Sequence, residues 1–144
     1  MTWFWLALSA AVLWGLGYTI NQNTLKVFSP LELLFFESLI IAVILGIYLL
    51  ISGKLPTLLI KLQDWRNLGL IALSSFIYMA ASILIFTSIN SSNATIAAII
   101  ESCYPIFTVI FAFLIFGEIQ LNLISALGFV LIIAGIILVK LYNH

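Results

Sequence analysis

Charge is the scarcest property of this 144-residue sequence: five Lys or Arg and five Asp or Glu make up 7% of the chain, against about 25% in an average soluble domain. With 65% of its residues hydrophobic, a water-soluble globule could not cover its own surface. The shortage excludes a soluble enzyme domain. It also excludes a nucleic-acid binder, which needs a basic patch, and a disordered segment, which is poor in apolar residues. The single cysteine, Cys103, allows no internal disulfide, and with one terminal histidine, His144, it supplies no cluster of metal ligands. No metal or other cofactor is expected.

What the sequence has instead is long apolar runs. A transmembrane helix needs roughly 20 consecutive apolar residues to cross a hydrocarbon core about 30 Å thick, and five stretches qualify: residues 3–20, 31–51, 68–89, 94–116 and 121–139. The expected fold is an all-α polytopic membrane protein with five transmembrane helices in one domain. A β-barrel would show alternating segments of about ten residues, which these continuous runs are not. About 40 residues lie outside the spans, so function must reside in the bundle and its partners are the lipid bilayer and a small solute.

The breaks carry cap and turn chemistry. Ser29-Pro30-Leu31-Glu32 reads as a capping box opening the second span, which gives Glu32 a structural duty. Gly53 and Pro56 end that span, and the segment Lys54–Asn67 is the only sizeable loop, with an apolar Leu58-Leu59-Ile60 suited to the membrane surface. Asn90 and Asn93 both fall in glycosylation sequons, but each hugs a helix end and reads as boundary chemistry. No Lys or Arg precedes Lys26, so residues 1–20 lack the charged region of a signal peptide and are expected to remain.

Orientation is weakly encoded. Five spans put Lys54, Lys61 and Arg66 on the side of the N-terminus and Lys26 and Lys140 on the other, three bases against two. The positive-inside rule then favours a cytoplasmic N-terminus by one charge. Either other features fix the orientation, or the protein inserts both ways and pairs with an inverted copy of itself.

At about 100° per residue, Glu101 shares a face of the fourth span with Ala94, Ala97, Ala98, Tyr104, Pro105, Thr108 and Ala112, opposite a side that includes Ile96, Ile99 and Ile100. Pro105 has no N–H to give the Glu101 carbonyl, which the bilayer tolerates only where a neighbouring helix or cavity water replaces it. The first span repeats the pattern with Trp14, Tyr18 and Asn21, and the third with Ser74, Ser75, Tyr78 and Ser82. Such faces fit a cleft for an amphipathic solute or ordinary close packing through small and hydroxyl residues. Gly128 and Gly135, on one face of the fifth span, fit a close helix crossing.

Two acids lie within spans with no capping role, Glu37 on an aliphatic face and Glu101 on the small-residue face. An ionised group at the bilayer centre costs roughly 2.5 to 3.5 kcal/mol on insertion scales. Both acids are within about two turns of an interface, where side chains reach water more cheaply. A carboxyl that exchanges protons inside a membrane can couple proton movement to solute movement, so both are candidates for coupling or substrate binding. Trp14, Tyr18, Ser74, Tyr78, Tyr104 and Thr108 are candidates for lining the cleft.

In order and spacing, Leu13-Trp14-Gly15, Ser29-Pro30-Leu31-Glu32, the boundary Ile89-Asn90-Ser91-Ser92-Asn93-Ala94, Pro105, Phe116-Gly117-Glu118, and Gly128 with Gly135 resemble the EamA-type five-helix domain of the drug/metabolite transporter superfamily. The resemblance covers nearly the whole chain. Members commonly carry two such repeats in inverted orientation and export small metabolites or drugs across bacterial inner membranes. A single repeat therefore implies an antiparallel homodimer working by alternating access in the cell's inner membrane, with Pro105, Glu118, Gly128 and Gly135 in structural or gating roles. Two positions depart from the pattern: Phe35-Phe36-Glu37 stands where members often carry arginine, and Tyr104, in place of glutamate, precedes Pro105. A non-transporting membrane subunit or assembly factor is the competing function. An enzyme is not expected, since the spans contain no histidine and no acids paired at a catalytic spacing.

Overall fold

The computed structural model describes residues 2–117 and 123–142. Its helices run in the order α1 Thr2–Thr24, α2 Pro30–Ile51, α3 Leu55–Leu62, α4 Trp65–Ser91, α5 Ala94–Glu101, α6 Tyr104–Phe116 and α7 Leu123–Tyr142. Four stretches are long and apolar enough to cross a membrane: α1, α2, α4, and Ala94–Phe116, which joins α5 to α6. A fifth apolar helix is supplied by α7, whose 20 residues rise about 30 Å. The chain is thus an all-α, multi-pass membrane protein, as its composition requires.

It divides into two compact units, one formed by residues 1–19 and 92–144 and the other by residues 20–91. In the second unit, α2 and α4 pack together and α3 packs on α4. The N-terminus of α2 is the capping box read from the sequence: the Glu32 N–H donates to Ser29 Oγ at 3.3 Å, and the Ser29 N–H donates to Glu32 Oε2 at 2.8 Å. Its C-terminus closes with a reciprocal pair, the Lys54 N–H to the Leu49 carbonyl and the Gly53 N–H to the Leu50 carbonyl. Gly53 has φ +65°, a left-handed conformation that costs glycine least. Ser29→Ala removes one cap acceptor and is expected to cost about 1 kcal/mol, read as a lower midpoint in a thermal melt of the purified protein in detergent. An unchanged midpoint would mean that lipid-facing packing, and not the cap, holds this end.

Two features differ from the sequence expectation. The 54–67 segment is not all loop, because α3 forms within it. Pro56, read as a breaker, lies in the first turn of that helix, where its missing N–H has no intrahelical partner to lose. The fourth span is not one regular helix: it is interrupted at Ser102-Cys103. Pro105 cannot donate to the Glu101 carbonyl, and the chain instead makes short-range turns, the Cys103 N–H to Ile100 and the Ile106 N–H to Cys103.

In the first unit α5 packs against α7. Asn93 caps α5, its Oδ1 accepting the Ile96 N–H at 2.9 Å, which is the boundary chemistry expected of that sequon. Gly117 ends α6 at φ +70°, donating to the Phe113 carbonyl at 2.9 Å. The close crossing expected at Gly128 and Gly135 is not formed among the described residues, since a Cβ at either would meet nothing within 4 Å. Their spacing establishes a shared face and leaves open what covers it. Glu118 lies outside the described residues, as do the first residues of the expected 121–139 span.

Candidate functional site

The first unit brings together two residues 83 positions apart. The phenol of Tyr18 donates a hydrogen bond of 2.7 Å to Glu101 Oε2. Tyr18 is 8% exposed, and Ala97 and Ala94, one and two turns before Glu101, are buried as well. Small residues on this stretch of α5 leave room for an aromatic side chain of α1 to reach the acid. Glu101 itself is half-buried.

The local chain explains why the acid stands there. Glu101 is the last residue of α5, where helix carbonyls point outward and the macrodipole disfavours an anion. A phenolic donor offsets that disadvantage, since hydrogen bonds to charged groups are worth about 1.5–3 kcal/mol. The turn at Ser102-Cys103 then starts α6 immediately afterwards, so the carboxyl sits at a junction between two half-helices. Ser102 secures the end of α5, its hydroxyl donating to the Ala98 carbonyl at 2.8 Å.

Beside this pair is a cleft of about 340 Å³ between α1 and α5, lined by Gly15, Tyr18 and Thr19 on one side and by Ala94, Thr95, Ala98, Ile99 and Ser102 on the other. The volume is at the lower end of small-molecule sites, which span about 300–1,000 Å³. Its walls are small and apolar with a few hydroxyls, and the Thr19 hydroxyl already donates to the Gly15 carbonyl at 2.9 Å. An acid, a phenol and an apolar cleft can exchange a hydrogen bond within the protein for one to a proton-bearing solute.

The other expected residues are distributed differently. The Trp14 ring lies 5.6 Å from that of Tyr18, tilted by 52°, and stays 63% exposed. Tyr104 is also exposed, and Thr108 donates to the Tyr104 carbonyl at 3.1 Å, so neither joins the hydrogen bond to Glu101. The break at Ser102-Cys103 accounts for this, because a helical wheel drawn through residues 94–116 loses phase there. Ser74 and Tyr78 belong to the second unit. The Ser74 hydroxyl donates to the Ile71 carbonyl at 3.0 Å, and Tyr78 is exposed. Glu37, in α2, is half-buried and makes no hydrogen bond among the described residues.

Gly15, Thr19, Thr95, Ile99 and Ser102 were not singled out from the sequence as lining residues. The helical pattern of the fourth span puts Ile99 on the face opposite Glu101. A signal was present: Gly15, Tyr18 and Thr19 fall within an arc of about 100° on a helix, as do Thr95, Ile99 and Ser102. Bulk alone points Ile99 toward lipid, whereas the structure sets it in the wall of the cleft. Among the described residues no group of His, Cys, Asp and Glu is placed to hold a metal ion.

Comparison with curated proteins and with solved structures gives no match. The sequence does match the EamA-like transporter family over residues 1–141. With its apolar, membrane-long helices already established, the chain belongs to that family and is a membrane transporter of the drug/metabolite superfamily.

Proposed function

We propose that the protein exports a small amphipathic solute across the inner cell membrane by alternating access, as an antiparallel homodimer, with Glu101 as the group that couples solute to protons. The observation that carries this reading is the 2.7 Å bond from Tyr18 to Glu101 beside the α1–α5 cleft. A proton or a cationic solute arriving at Glu101 competes with the Tyr18 phenol for the same carboxylate oxygen. Occupancy then alters a contact between two helices, which is how binding energy is converted into a shift between two states. The interruption between α5 and α6 adds support, since discontinuous helices whose ends meet a substrate or ion are a recurring transporter design. The near-even division of bases, three to two, supports insertion in both orientations and hence pairing of inverted copies.

The test is reconstitution of the purified protein alone in liposomes, after thermal-shift screening against metabolites and organic cations has found a solute. Solute flux accompanied by proton release is the expected result. Failure of every stabilising solute to produce flux would leave the polar faces as docking surfaces of a non-transporting subunit. Tyr18→Phe removes the donor and keeps the ring, so it is expected to lower solute-driven proton release about tenfold, the size of one charge-assisted hydrogen bond. Full release in Tyr18→Phe would show that the bond is structural.

A further inference from the structure

The second unit contains a site with different chemistry. As a helix, α3 places Lys54, Thr57 and Lys61 within an arc of about 60°, while Leu55, Leu58 and Leu62 are half-buried, as expected where α3 packs on α4. Leu59 and Ile60 are 55% and 66% exposed. This is the pattern of a helix lying in a membrane interface, apolar below and basic above.

Aromatic and basic residues flank it. Trp65 is 84% exposed at the start of α4, and Tyr48 stands in the last turns of α2. The Lys54 ammonium is 3.4 Å from the Tyr48 hydroxyl and 5.6 Å from the centre of its ring. Tryptophan and tyrosine concentrate at the headgroup level of bilayers. The connection between the C-terminus of α2 and the N-terminus of α4 is bound to that level by topology.

Between α3 and α4 runs a cleft of about 330 Å³, floored by Leu58, Leu62, Leu70 and Ile71, with Lys61 and Asn67 at its edge. Asn67 closes the end of α3 by donating from Nδ2 to the Lys61 carbonyl at 3.3 Å, which holds the backbone of Lys61 at the mouth. The Asp64 carboxylate is engaged locally, accepting the Arg66 N–H at 3.0 Å.

We infer that this cleft binds an anionic phospholipid, its phosphate at Lys61 and one acyl chain along Leu58, Leu62, Leu70 and Ile71. Charge complementarity selects the occupant: an apolar floor alone would take any acyl chain, and the basic edge favours a negatively charged headgroup. Each Lys or Arg close to an anionic membrane surface contributes about a fivefold gain in binding.

The full-length protein, purified in a neutral detergent, is mixed with equimolar phosphatidylglycerol and phosphatidylcholine of matched chains, and the bound lipids are counted by native mass spectrometry. Phosphatidylglycerol adducts are expected to exceed phosphatidylcholine adducts about fivefold or more. Lys61→Gln should remove about fivefold of that preference, Lys61→Arg should retain it, and Lys140→Gln, outside this unit, should leave it unchanged. Ile71→Phe, which fills the floor while keeping every charge, should lower the binding of both lipids. Equal retention of the two lipids by the unsubstituted protein, or an unaltered preference in Lys61→Gln at an unchanged melting temperature, overturns the assignment. Displacement of phosphatidylglycerol by an equal concentration of inorganic phosphate would do so too, by reassigning the site to a free anion.

Discussion

Glu101→Gln is expected to bring solute-driven proton release in liposomes down to the level of protein-free liposomes. The substitution is a narrow one. The glutamine side-chain oxygen can still accept the Tyr18 phenol, now 2.7 Å from the carboxylate, so the contact between α1 and α5 survives. What disappears is the ability to carry a charge and to exchange a proton. Melting temperature should therefore stay within a few degrees of the unsubstituted protein while coupling is lost. Glu101→Asp keeps the charge and shortens the reach by one methylene, and an intermediate rate is expected from it. Undiminished proton release in Glu101→Gln would move the coupling role elsewhere. The next candidate is Glu37, the other acid within a span that has no cap to serve.

The Glu101 site shows how far a sequence reading goes and where it stops. An acid in a long apolar run is conspicuous because its cost is large there, and Tyr18 is conspicuous as a phenol on a face of small residues. Neither fact joins them. Their contact spans 83 positions and depends on how two helices pack, which residue patterns within each helix do not encode. Pro105 announced a lost hydrogen bond, but the place of the interruption, at Ser102-Cys103, follows from which turns the chain adopts to replace it. The Ser29–Glu32 box was fully legible because capping is local, every partner lying within one turn. The helix α3 is not legible in the sequence for a related reason: eight residues are too few for a periodic signal to stand out, and proline is ambiguous between stopping a helix and starting one. Gly128 and Gly135 show the converse, a correct local pattern whose covering surface lies outside what the pattern specifies.

The second large effect concerns assembly. With three bases on the N-terminal side and two on the other, a small change in charge is expected to convert a mixed orientation into a single one. C-terminal reporters on the unsubstituted protein should locate His144 on both sides of the membrane. Thr2→Lys combined with Gln63→Lys makes the count five to two and should hold nearly all copies with a cytoplasmic N-terminus, since positive residues in short loops near span ends resist translocation. Asn143→Lys and His144→Lys combined with Arg66→Gln make it two to four and should favour the opposite orientation. If inverted copies form the working unit, each variant expressed alone should lose transport almost completely, because its partner of opposite orientation is missing. Co-expression of the two should restore transport, and crosslinking should recover the mixed dimer. A singly oriented variant that transports at the unsubstituted rate would defeat the antiparallel dimer while leaving the role of Glu101 intact, since the Tyr18–Glu101 pair lies wholly within one chain.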